Sequence, residues 1–270
     1  NVTYAGDLVA SNTSGLTKLG LGTLTLSGSN GYTGLTTLNA GTVNLGSVNA
    51  LAGGGSLTFA GGTLQLGVNG ATYGNLVGDS TATMLIDTNA NSGTLSGNLL
   101  SSNTSGLTKL GLGTLTLSGS NGFTGVTYID AGTLSLASTN ALAGGGNVTF
   151  RGGTLQYTAS NASDLSARIV NSVGSMAIDT NAQNVTYAGD LVASNTSGLT
   201  KLGLGTLTLS GSNGYTGITT LNAGTVNLGS VNAIAGGGSL TFTGGTLQLG
   251  VNGATFILSL IHISEPTRPE

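Results

Sequence analysis

The chain has 270 residues, of which 49 are glycine and none is cysteine or tryptophan, and 6 lysines and arginines stand against 9 aspartates and glutamates for a net charge of −3. Charged residues make up 6% of it, against the ~25% usual for globular domains, which argues against nucleic-acid binding and leaves no disulfide or thiolate metal site. A hydrophobic fraction of 38%, with Leu, Val and Ile regularly spaced, lets the chain order itself, and no run of about 18 apolar residues offers a membrane-spanning helix.

In chain order, Asn1 opens mid-pattern with neither Met nor a signal peptide, so the export signal is expected to lie elsewhere. At Gly15 the phrase GLTKLGLGTLTLSGSNG begins, and it returns at Gly106 and again at Gly198, which sets one long period. Residues 1–73 and 184–256 differ only at Leu35/Ile218, Leu51/Ile234, Ala60/Thr243 and Tyr73/Phe256. Three large repeats are therefore expected, at 1–91, 92–183 and 184–257, winding as one continuous body. Within each, the motif Gly-Thr-(Leu/Val)-x-(Leu/Tyr) recurs at a short, near-constant spacing: at Gly22, Gly41 and Gly62, then Gly113, Gly132 and Gly153, then Gly205, Gly224 and Gly245.

A short strand every ~20 residues, preceded by glycine and followed by polar turns such as Ser27-Gly28-Ser29-Asn30-Gly31, is the pattern of one solenoid coil per period. Leu24 and Leu26, Val43 and Leu45, and Leu64 and Leu66 alternate with Thr23 and Thr25, Thr42 and Asn44, and Thr63 and Gln65. Successive side chains of a strand point to opposite sides, so the aliphatic set is expected inside and the hydroxyl and amide set outside. Helices are not expected, because Thr and Gly form them poorly and no 3.6-residue stripe is present.

The last nine positions hold both prolines, both glutamates and the only histidine, His262. Leu258 to Arg268 read LSLIHISEPTR, which resembles the translation of a transposon-type sequencing adapter. Residues 258–270 are accordingly expected to be a disordered, non-native tail, with His262 neither base nor ligand.

Solenoids of this type also host glycosidases and lyases, which need paired carboxyl groups. Asp7, Asp79, Asp87, Asp130, Asp164, Asp179 and Asp190 are the candidates, but Asp7 matches Asp190 and Asp87 matches Asp179, as turn features would. Asp164 and Arg168, in the least repetitive stretch, are the best local exception and are read as a solvated loop or short helical excursion. The strings GGGSLTF and AGGTLQL lack the Asp of calcium-binding repeats, and GLGTL lacks the Gly-Lys-Ser/Thr of a phosphate loop. Lys18, Lys109 and Lys201 recur at one position and are read as solvated charges that discourage lateral strand pairing. Tyr32, Phe123 and Tyr215, and Phe59, Phe150 and Phe242, are read as ladder or core-capping residues. Thr-x-Thr pairs at 23/25, 114/116 and 206/208 resemble an ice-binding array but recur only once per large repeat. No catalytic, cofactor-binding or metal residue is assigned.

The run Gly15, Leu16, Lys18, Gly20, Gly22, Thr23, Leu24, Leu26, Gly28, Asn30, Tyr32, Gly34, Thr36, Leu38, Gly41, Thr42 and Val43 resembles the autotransporter-associated β-strand repeat, with Leu19 and Gly31 as small departures. That resemblance implies an all-β, right-handed single-stranded parallel β-helix, a solenoid with about 20 residues per coil. It implies a non-catalytic passenger segment at the bacterial surface, a rigid stalk or adhesin scaffold held by a C-terminal β-barrel that this chain lacks. The expected partners are host-cell or extracellular glycan and protein surfaces, or further copies of the chain. The alternatives are a spacer or body of a β-helical carbohydrate-active enzyme and an ice-binding-like threonine surface.

Overall fold

The computed structural model describes residues 1–253, so the expectations for 258–270 lie outside the described residues. Asn1–Leu155 with Ala159–Asn161 form one compact unit; Gln156–Thr158 and the described residues from Ala162 to Gly253 belong to a second. Both are parallel β-solenoids, and the described residues hold a single 3-10 turn, Ser166–Arg168, and no helix long and apolar enough to cross a membrane.

In the first unit the alternating strands stack as their chemistry requires. Thr23–Leu26 pairs in parallel with Thr42–Leu45, and that with Thr63–Leu66, so that Leu24, Val43 and Leu64 share one inward column while Thr25, Asn44 and Gln65 share an outward one. Val43, Leu45, Leu64 and Leu66 are fully buried. No coil could close a core alone; each is completed by the one above it.

Each coil has three sides rather than the single strand that the Gly-Thr motif suggests. Leu16–Lys18, Thr36–Leu38 and Leu57–Phe59 form a second sheet, extended through bridges at Val77 and Leu99. A third joins Ala71–Tyr73, Gly93–Leu95, Thr114–Leu117 and Thr133–Leu136. The first sheet continues beyond Leu66 through Met84–Asp87, Leu107–Leu110, Thr127–Ile129 and Val148–Phe150. The coil and the large repeat are therefore out of step. Following the pairing from Thr23 through Thr42, Thr63 and Leu85 arrives at Thr108 after four coils. The sequence repeats only at Thr114, further along the chain, across a corner and on the third sheet.

Corners bring backbones close. A Cβ on Gly53 would sit 2.0 Å from the Tyr32 carbonyl oxygen of the coil below, and one on Gly144 1.8 Å from that of Phe123, distances that no side chain tolerates. Buried asparagines fasten the same corners. Asn30 is fully buried; its Oδ1 accepts from Leu8 N (2.9 Å) and its Nδ2 donates to Ala50 O (3.0 Å), one coil to either side. Asn121 repeats the clamp with Leu99 N and Ala141 O.

The second unit has the same construction. Met176–Asp179, Leu199–Leu202, Thr219–Leu221 and Leu240–Phe242 form one parallel sheet, and Val185–Tyr187, Thr206–Leu209, Thr225–Leu228 and Thr246–Leu249 another. Asn213 there clamps Leu191 N and Ala233 O.

The reading of the lysines as solvated is corrected by the structure. Lys18 is 7% exposed, Lys109 and Lys201 0%, because each stands two residues after an inward leucine and so points inward itself. Lys109 occupies the aliphatic column between Ile86 and Ile129. Its Nζ donates to Thr88 Oγ1 (2.9 Å), Leu110 O and Gly111 O (2.8 Å each) and Ala131 O (3.1 Å). Lys18 and Lys201 reach the equivalent corner carbonyls. The turn aims carbonyl oxygens inward, and the ammonium satisfies them where no amide can.

The aromatic reading holds in the core: Tyr32, Phe123 and Tyr215 are 2–3% exposed, and Phe59 and Phe150 fully buried, with Phe242 half-buried. Tyr32 and Tyr215 share hydroxyl hydrogen bonds with Thr36 (2.6 Å) and Thr219 (2.7 Å), whereas Phe123 leaves Thr127 Oγ1 buried without a partner. Phe123→Tyr is thus expected to stabilise the chain by about 1 kcal/mol, read as a higher denaturation midpoint. An unmoved or lowered midpoint would show that the site cannot take the hydroxyl.

Candidate functional site

The carboxylates divide by what they hold. Asp7 Oδ1 accepts from Ser29 N (2.7 Å) and Asp190 Oδ1 from Ser212 N (2.6 Å), equivalent turn contacts in the two units. Asp87 accepts from Asn89 N (2.7 Å) and Gln65 Nε2 (2.8 Å), and Asp179 from Asn181 N and Gln156 Nε2 (2.8 Å each). Asp79 lies in a turn at φ 54°, its amide donating to Ser102 Oγ. The carboxylates of Asp7, Asp87, Asp179 and Asp190 thus order backbone amides, and among the described residues no three acidic, His or Cys side chains converge as a metal site.

Asp164 and Arg168 lie at the 3-10 turn, the short helical excursion expected there. Asp164 Oδ1 accepts from Ser166 N (2.9 Å) and Ser166 Oγ (2.6 Å), and Oδ2 from Ala188 N (2.8 Å), so the side chain caps a turn and ties it to the next coil. Beneath it the fully buried Tyr157 and Tyr187 pair through their hydroxyls at 3.1 Å. Burial raises both phenols above the usual range, and burial lowers the Arg168 guanidinium. Burial likewise draws the Lys109 and Lys201 amines down to about 8, opposed by the carboxylates of Asp87 and Asp179. Tyr157, Tyr187, Lys109 and Lys201 are enclosed by the coils they fasten, whereas Asp164 is exposed and Arg168 half-buried.

One outward cluster departs from the repeat. At the positions where the flanking repeats carry Thr37 and Thr220, Asn39 and Asn222, and Ala60 and Thr243, the middle repeat carries Tyr128, Asp130 and Arg151. Three changes of size and charge, the last of them a coil away in sequence, meet in space. Tyr128 pairs with Thr149 and Ile129 with Phe150, which brings Asp130 beside Arg151 on the outer face of the first sheet. The guanidinium carbon lies 3.6 Å over the centre of the Tyr128 ring, and Nη1 stands 3.7 Å from Asp130 Oδ1. The two charged side chains are 43% and 27% exposed. Sequence reasoning misses this cluster; setting the three repeats side by side, position by position, is the comparison that finds it.

The strand faces of the remaining exterior are mostly uncharged and polar, while corners expose leucines such as Leu21, Leu112 and Leu204. Threonines stack in short columns on every sheet of the first unit, as in Thr23, Thr42, Thr63, then Thr17, Thr37, Thr58, then Thr72, Thr94, Thr116, but Asn44, Gln65, Asp87 and Ser135 interrupt the neighbouring positions, so the threonine face stays narrow. A hollow of about 260 Å³ beside Val48, Leu51, Tyr73 and Asn75 is smaller than the usual small-molecule site.

The family model described as passenger-associated-transport-repeat matches residues 16–45, 107–136, 130–156 and 199–228, the strands and corners just described. These coils are autotransporter passenger repeats. The passenger segment is 38% identical over 238 residues to the adhesin BmaC autotransporter of Brucella suis biovar 1 (strain 1330), an alignment that takes in 77% of this chain. The chain spans 7% of that relative's length. No solved structure gives a significant match to the passenger segment.

Proposed function

We propose that this passenger segment is a non-catalytic scaffold, a rigid stalk or adhesive body, displayed on the outer surface of a Gram-negative bacterium by a β-barrel elsewhere in the full-length protein. The observation that carries the reading is the use to which the charged groups are put. Three lysines are sealed inside to hold corner carbonyls, and Asp7, Asp87, Asp164, Asp179 and Asp190 are engaged by backbone amides. Chemistry that could act on a substrate is instead invested in fastening one coil to the next. A parallel ladder of this kind resists bending and leaves Thr, Asn and Gln on its outer strand faces, beside exposed corner leucines such as Leu21 and Leu112. The relative's printed name, an adhesin, agrees with such a role.

The test is display. The chain is placed between an export signal and an autotransporter barrel, with an epitope tag at its N-terminus, in a Gram-negative host. The tag is expected to be reached by antibody on intact cells, and the purified chain to release no reducing ends from polygalacturonate or other polysaccharides. A tag hidden until lysis would overturn surface display, and release of reducing ends would overturn the non-catalytic role.

A further inference from the structure

We propose that Arg151, held flat on Tyr128, is a docking point for a carboxylate-bearing sugar on the outer face of the first unit. The proposal deepens the scaffold reading and rests on it only for the chain's exposure to glycans.

Three observations support it. Among the described residues Arg151 is the one cationic side chain that stands exposed, since Lys18, Lys109 and Lys201 are buried and Arg168 half-buried. Its position is created by the middle repeat alone, where Ala60 and Thr243 stand in the flanking repeats, and the neighbouring changes to Tyr128 and Asp130 act on it directly. The guanidinium is also pre-positioned: it stacks on a ring at 3.6 Å, and its ion pair with Asp130 Oδ1, at 3.7 Å, is too long for a hydrogen bond.

Stacking fixes the plane of the fork, so little rotamer freedom remains to be lost when a ligand arrives. A planar carboxylate matches that fork with two parallel N–H···O bonds, and such charge-assisted pairs are about twice as strong as neutral ones. A neutral hydroxyl gains only single bonds from the same donors. Asp130 is the built-in competitor: its Oδ1 is buried without a hydrogen-bond partner and meets Arg151 only at ion-pair distance, and a pair without a hydrogen bond is a weaker partner than a bidentate carboxylate. Coulomb attraction to an anionic polymer also means that binding weakens as salt rises.

The experiment titrates the whole chain with polygalacturonate, with sialyllactose and with dextran as the neutral control. Binding is expected to one or both acidic probes and not to dextran; uronate alone or sialate alone identifies the source of the carboxylate. Arg151→Ala should weaken binding about tenfold or more, the equivalent of losing one good charge-assisted pair. Arg151→Lys should recover part of it, and Tyr128→Thr, the residue of the flanking repeats, should weaken it by freeing the guanidinium. Asp130→Asn separates docking from a mere surface staple, because removing the competing carboxylate should tighten binding. Circular dichroism of each variant should match the parent, as all three side chains lie outside the core. Failure of both acidic probes to bind, equal binding by parent and Arg151→Ala, equal binding of dextran, or weaker binding by Asp130→Asn would overturn the proposal. Surface display of the tag is unaffected by any of these results, so the scaffold reading stands or falls separately.

Discussion

Leu64→Asp is expected to abolish the β-type circular dichroism of the coils around residues 42–87, or the soluble expression of the chain, while Thr63→Asp leaves both nearly intact. Leu64 is fully buried between Val43 and Ile86 in the inward column, and Thr63 is half-buried on the other side of the same strand. Removing the leucine alone costs about 2–5 kcal/mol through lost burial and a cavity. The carboxylate must then be desolvated or protonated in an aliphatic stack, which adds several kcal/mol more. An outward aspartate replaces one polar group by another in contact with water, a change of about 0.5 kcal/mol. Leu24 occupies the same column but is half-buried at the first coils, so it gives a weaker contrast. Comparable stability of the two variants would show that the inside and outside of the strand have been exchanged.

Lys109→Met is the second large effect, and its sign is set by a competition. Methionine keeps the length and apolar stem, so the column stays filled. Lost are the donors to Leu110 O, Gly111 O, Ala131 O and Thr88 Oγ1, and each buried acceptor left unpaired costs about 1–3 kcal/mol. Relief from burying an ammonium offsets part of this, and breaking a buried polar arrangement while keeping the other half remains unfavourable. A net loss of about 2–4 kcal/mol at pH 7 is expected, measured as a lower guanidinium midpoint. The pH dependence provides an independent reading. The Lys109 and Lys201 amines sit at about 8 in the folded chain against 10.5 free, so between these values the unfolded chain binds more protons and stability rises with pH. Tyr73 and Tyr215 are pushed up to about 12, so their contribution is present below pH 10 and is lost above it. The parent should therefore be most stable near pH 10, and Lys109→Met should flatten the climb from pH 8. A variant with the parent's midpoint and the parent's slope would refute the buried cradle.

Much of this architecture is legible in the sequence, and what is not has identifiable causes. Alternation of Leu24, Leu26 with Thr23, Thr25 reports the two faces of a strand because the period of two is a property of the extended backbone. Weighing charge above position misplaces the lysines: in Leu16-Thr17-Lys18 the lysine shares the parity of the inward leucine, and the inward-turned carbonyls that make its burial tolerable leave no mark in the sequence. Asn30 looks like an ordinary turn residue for a similar reason, since its partners Leu8 N and Ala50 O lie one coil away on either side. Strands such as Thr36–Leu38 and Leu57–Phe59 lack the Gly-Thr opening and so resemble connections. Arg151, Tyr128 and Asp130 stay hidden because a search for repeats rewards agreement between copies, whereas their importance lies in departure from it.

The mismatch between four coils and one large repeat has a consequence for how such a chain grows. Gly-Thr strands of the first repeat lie on the first sheet and those of the second on the third sheet, so duplication hands every surface group to a new compass bearing. Lengthening by copying therefore spreads a given chemistry around the girth instead of building a longer stripe. A docking group that arises in one copy, as at Arg151, inherits a bearing of its own without competing with its counterparts for the same neighbour.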